Sequence, residues 1–224
     1  MNSYMYHQRC RPLSDFRINE IIEWLNLMQE AFGLECVYDS NDKSVELVEH
    51  ILHNIFEKNK NKRFPEIGSI EHFFSIPPKL RKDETIRFEV HTGIHTGQKF
   101  ADTYHVSIGE CPPVPDFKYF RHSIEIFRPF EAYLSESKNE REMDAYDWFQ
   151  AFGFSRPSII RGFHYLDETF AESIGGVDYC LKAPVWKVER FCEGVLIQLN
   201  EGVFDTENPS HLNAQQKAMK YFMM

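Results

Sequence analysis

Ile18, Ile21, Ile22, Leu25, Met28 and Phe32 recur at three- and four-residue intervals, the spacing that lays one apolar stripe along a helix. Ser14 or Asp15 upstream is a candidate cap, and Gly33 closes the pattern. Val45, Val48, Ile51, Leu52, Ile55 and Phe56 repeat the spacing and predict a second amphipathic helix over residues 44–58, running into the polar tract Lys58 to Arg63. Each stripe needs a sheet or another helix to cover it.

Between Thr85 and Ile108 the texture changes to alternation. Residues 86–90 and 104–108 predict an antiparallel pair of strands joined through the Gly93 to Gly97 region. Pro112, Pro113 and Pro115 then break the chain. Phe117, Phe120, Ile124 and Phe127 predict a helix that stops before Pro129, followed by a strand over 131–135. Residues 136–150 read as an acidic linker and 157–166 as a strand, with Asp167 capping a short helix that Gly175 and Gly176 end. Residues 185–191 and 195–199 predict a hairpin turning at Cys192-Glu193-Gly194, and Asn208-Pro209 opens a C-terminal helix reaching Tyr221. Hairpins mixed with helices, without strict βαβ alternation, predict an α+β fold. Its mainly antiparallel sheet is packed with amphipathic helices in a single domain spanning residues 1–224.

Composition narrows the class. Hydrophobic residues make up 42% of the chain and aromatics 15%, ample for a core between sheet and helices. Apolar runs are interrupted by charge well short of the roughly 20 residues that cross a bilayer, and residues 1–13 lack the apolar core of an export signal. The expectation is a protein of the cytoplasm that does not engage the membrane. Cys10, Cys36, Cys111, Cys180 and Cys192 are odd in number and widely spaced, which fits reduced thiols.

The net charge of −9 is unevenly spread. Residues 129–224 hold 15 acids against 9 bases, and residues 131–178 hold 10 against 4. Such a surface repels phosphate backbones, which disfavours direct nucleic-acid binding, and attracts a basic partner. The candidate interface is acidic with aromatic anchors: Glu131, Glu136, Glu140, Glu142, Asp144, Asp147, Trp148 and Phe149. The same aromatics, with Phe152 and Phe154, also suit a loop tucked onto the core.

Catalytic patterns are weak. His91, His95 and His105 superficially resemble a metal-ligand set, but no carboxylate or cysteine of suitable spacing accompanies them, and no metal or other cofactor is expected. Gly93-Ile94-His95-Thr96-Gly97 lacks the Gly-Lys-Ser/Thr ending of a phosphate loop. No Gly-x-Ser-x-Gly occurs, and prolines follow Cys111. Arg156, Arg161 and His164 near Asp167 and Glu168 could form an acid/base cluster. In a regular strand, however, Arg161 and His164 would point to opposite faces, and structural pairing of the charges is the simpler reading.

The run Ile160 to Asp167, then Val185 to Glu189, Gly194 to Leu199, and Phe204-Asp205-Thr206-Glu207-Asn208-Pro209-Ser210-His211 resemble the immunity protein 52 family of bacterial polymorphic-toxin systems. The resemblance is clearest over residues 145–222. It implies a non-catalytic cytoplasmic antitoxin that binds and blocks a cognate toxin delivered by type VI secretion or another contact-dependent system, with a basic nuclease domain as the partner by analogy. The family supplies no catalytic residues. In its Phe-Asp-x-x-Asn-Pro-x-His ending, Asp205 and Asn208 are expected to organise a turn, Pro209 to start the helix and Phe204 to plug the core. Two other classes remain open from the residues alone: a small-ligand or metal-dependent enzyme using the histidine regions, and an adaptor or chaperone that escorts an effector.

Overall fold

Every strand pairing among the described residues is antiparallel. The structure is a computed structural model that describes residues 3–13, 16–38, 43–59, 70–75, 86–92, 101–109, 114–136 and 160–222. In chain order the elements are β1 (Tyr4–Cys10), α1 (Ile18–Phe32), β2 (Val37–Tyr38), β3 (Ser44–Val45), α2 (Glu49–Asn59), β4 (Ile70–Ser75), β5 (Ile86–Thr92) and β6 (Asp102–Ile108). Then come α3 (Phe117–Phe127), β7 (Glu131–Glu136), β8 (Phe163–Asp167), α4 (Glu168–Ser173), α5 (Val177–Cys180), β9 (Lys187–Phe191), β10 (Gly194–Gln198) and α6 (Pro209–Phe222). The strands form one ten-stranded sheet in the order β3-β2-β4-β5-β6-β1-β7-β8-β10-β9. The α+β reading holds, and no helix among the described residues is long and apolar enough to cross a membrane.

Alternation of side chains along each strand divides the core into two layers. On one face Tyr6, Phe88, Val90, Tyr104, Val106 and Phe163 pack with Trp24, Leu25, Phe120 and Phe127 from α1 and α3. On the other, Leu166, Val195 and Ile197 pack with Phe170, Ile174, Phe204 and Phe222 from the C-terminal helices and loop. Burying each large apolar side chain contributes about 1.5–3 kcal/mol relative to leaving it exposed. Polar contacts fix α3 on β1: the Tyr6 hydroxyl donates to the Phe120 carbonyl at 3.0 Å, and the Gln8 amide donates to the Ser123 hydroxyl at 2.6 Å.

Several elements follow their local signals. Gly33 ends α1 in the left-handed conformation, the Asp116 and Asp167 carboxylates cap α3 and α4, and Asn208 caps α6 by accepting from the Ser210 amide at 3.0 Å. Phe204 is buried over Gly162, where a side chain has no room: a Cβ there would stand 2.3 Å from that of Phe204. Asp205 accepts from the Glu207 amide at 2.8 Å, so the C-terminal segment has the structural roles expected of it.

Other expectations are corrected. Residues 44–45 pair with β2 as β3, and α2 starts at Glu49, because Val45 buries itself in the sheet and not on the helix stripe. Residues 157–159 of the expected strand lie outside the described residues; the described part begins at Phe163, with a bend at Gly162 before it. Ser14 and Asp15, proposed as the α1 cap, lie outside the described residues; Arg17 occupies the cap position and makes no side-chain cap bond. The acidic linker beyond Glu136 and the Gly93 to Gly97 region also lie outside them.

The β9–β10 hairpin turns on Cys192 and Glu193, and Cys192 adopts φ +48, a backbone region that disfavours side chains bearing a Cβ. Its side chain is exposed, so packing offsets little of that strain. Cys192→Gly is expected to raise the unfolding free energy by about 1 kcal/mol in urea titration; a lower value contradicts the strain.

Candidate functional site

β1, the strand flanked by β6 and β7, has polar residues on the face opposite α1 and α3. Strand register extends that face into a row: Glu89 of β5 lies opposite His105 of β6, which lies opposite His7, then Tyr133 of β7, then His164 of β8. The rings touch in sequence. His7 meets His105 edge-on at 3.9 Å between centroids, stacks on Tyr133 at 5.0 Å, and Tyr133 meets His164 at 5.6 Å. A second row places Thr103, Arg9 and Glu131 side by side.

Glu131 is the hub of this face. Its Oε2 accepts from Arg9 Nη1 at 2.8 Å, and its Oε1 lies 3.0 Å from His164 Nε2. The Arg161 backbone N–H donates to His164 Nδ1 at 3.2 Å, which leaves Nε2 as the protonated nitrogen that donates to Glu131. Burial alone pushes the Glu131 carboxyl upward, but the hydrogen bond from His164 and the charge of Arg9 outweigh it and hold the group at about 2. The neighbouring histidines move for a different reason. His7 and His105 are pushed well below the ordinary imidazole range, first by burial and then by their neighbours: His105, Arg9, His91 and Arg161 act on His7, and His91 acts on His105. The Arg161 guanidinium lies over Tyr133, 5.0 Å from the ring centroid, and Arg9 lies over Phe130 at 5.2 Å.

Arg161 and His164 therefore converge, contrary to the regular-strand expectation. The bend at Gly162 breaks the alternation and lets both act on the same face. Arg161 and His164 do enter an acid/base cluster, but its acid is Glu131 and not the suspected Asp167, which pairs with Arg11, or Glu168, which is exposed. Its members hold one another, since both oxygens of Glu131 are occupied and the side chains of Arg9, Glu131, Arg161 and His164 are all buried. His91 joins the row through His105 at 5.4 Å, while His95 lies outside the described residues. Among the described residues no group of three His, Cys, Asp or Glu side chains is arranged to hold a metal ion.

The acidic interface divides. Glu131 is 5% exposed and Glu136 fully buried, so neither carboxylate forms part of a solvent-facing rim. Glu136 instead anchors the C-terminal loop, its Oε2 accepting from the Thr206 amide at 2.9 Å and hydroxyl at 2.5 Å. Glu140, Glu142, Asp144, Asp147, Trp148 and Phe149 lie outside the described residues, as do Arg156, Phe152 and Phe154. Sequence reading missed His7 and Arg9 altogether. Their signal was the alternation of Tyr4, Tyr6, Gln8 and Cys10 with Met5, His7 and Arg9, obscured because polar residues occupy both sets.

No family model matches the chain, and no curated protein is similar to it. Solved structures share its architecture. The fold resembles that of the Pseudomonas aeruginosa T6SS protein PA0821. The superposition covers 99% of this chain and 74% of that protein with a TM-score of 0.63, at 11% sequence identity. The likeness is therefore one of fold.

The histidine row makes stability pH-dependent. Because His7 and His105 stay neutral in the fold but take up protons near pH 6.5 when unfolded, stability is complete above that value and falls as pH drops below it. Each group contributes a slope of up to about 1.4 kcal/mol per pH unit, and Glu131 adds a further loss as pH falls from 4.5 towards about 2. Urea titrations of the wild type and His105→Gln between pH 7.5 and 5 should show the steeper decline in the wild type. Parallel curves would remove His105 from the account.

Proposed function

We propose that the chain is a cytoplasmic immunity protein that binds and neutralises a cognate toxin delivered by type VI secretion or another contact-dependent system. The observation that carries this reading is the likeness of fold, over 99% of this chain, to a T6SS protein. The C-terminal resemblance to the immunity protein 52 family and the net charge of −9 support it from the sequence. The best-defined constellation of ionisable groups, around Glu131, is engaged in holding strands together, which favours a binding role over turnover.

A basic nuclease domain is the partner this chemistry suits best. Its phosphate-holding cleft attracts an acidic surface, and steering by opposite charge speeds the encounter. Affinity then rests on a few buried anchors inside a charged rim. With Glu131 and Glu136 committed to the interior, the proposed contact set is Glu140, Glu142, Asp144 and Asp147 with Trp148 and Phe149.

Co-expression with the toxin encoded beside it is expected to restore growth; killing that persists despite soluble expression contradicts the reading. Reversing Glu140, Glu142, Asp144 and Asp147 together to Lys should slow association with the purified toxin and flatten its salt dependence. Unchanged kinetics would place the contact on another surface.

A further inference from the structure

We infer that β9 is a self-association edge, through which two copies of this chain join their sheets. Among the described residues β9 ends the sheet and pairs only with β10. Its residues are exposed or half-buried, whereas every residue of β10 is buried. Trp186, immediately before β9, is 53% exposed, ahead of Leu13 at 43% and Leu212 at 38%.

The hairpin register decides what can dock there. The two-residue turn at Cys192 and Glu193 makes Phe191 and Gly194 the hydrogen-bonded pair next to the turn. Alternation then directs the backbone groups of Val188 and Arg190 away from β10, towards the open side. A row of outward N–H and C=O groups is satisfied by an extended strand.

The side chains select a second copy as that strand. In the order Trp186-Lys187-Val188-Glu189-Arg190, an antiparallel copy centred on Val188 sets Val188 against itself, Lys187 against Glu189 and Trp186 against Arg190. The register thus forms two ion pairs and two cation–π pairs about an apolar centre. Moving the centre one residue either way brings Lys187 opposite Lys187 or Glu189 opposite Glu189, so charge fixes the register. Lysine on an edge strand commonly blocks pairing, but here the carboxylate of Glu189 lies on the same face, 3.1 Å from the Lys187 ammonium, and complements it in the copy.

Sedimentation velocity of the full chain over a concentration series tests the edge. The expected result is a species of twice the chain mass, with dimer affinity lowered at least about tenfold by Trp186→Ala and by Lys187→Glu. Trp186→Ala removes an exposed side chain, and an unchanged circular dichroism spectrum confirms its fold. Nitroxides on Cys192, with Cys36 and Cys111 replaced by Ser, should report backbones roughly 25–30 Å apart, the span of eight residues in an antiparallel pair. A monomer at every concentration overturns the inference, as does a dimer insensitive to both variants or one with a different label separation.

Discussion

The carboxylate of Glu131, held out of water between Arg9 and His164, is the interaction on which the molecule's organisation depends. It joins β1, β7 and β8, where the N-terminal part of the sheet meets the C-terminal part. An ion buried alone costs several kcal/mol, so Glu131 and Arg9 are each tolerable only with the other in place, and His164 satisfies the second carboxylate oxygen. Residues 9, 131 and 164 are thereby brought to one point from distant parts of the chain.

The same constraint draws further acids into the interior. Glu136 is spent on Thr206 and the C-terminal loop, and Asp167 caps α4 while pairing with Arg11 at 2.7 Å. Part of the acid excess in the C-terminal half is therefore structural. On the proposed reading, recognition of a partner is left to the remaining acids, and the edge at β9 would add backbone groups.

Much of this was legible in the sequence where a residue's role is local. The stripes of α1 and α3, the Asn208-Pro209 start of α6 and the turn at Cys192 depend on neighbours within a few positions, and they fall where the spacing puts them. β1 was not legible, since a strand buried on both faces carries no clean alternation, and its polar side chains are accommodated by partners more than 90 positions away. Glu131 read as a surface acid for the same reason: its charge is visible in the sequence, whereas Arg9, 122 residues distant, is joined to it only by folding. The convergence of Arg161 with His164 rests on one bend at Gly162 that strand periodicity does not express.

The most direct measurement of this organisation is a double-mutant cycle on the unfolding free energy, with Arg9→Met, Glu131→Met and the two combined. Each single change strands a buried charge and is expected to cost about 3–5 kcal/mol, while the double variant loses at least about 2 kcal/mol less than the sum. Losses that add to within about 0.5 kcal/mol would contradict the account, because the two residues would then be holding the sheet independently.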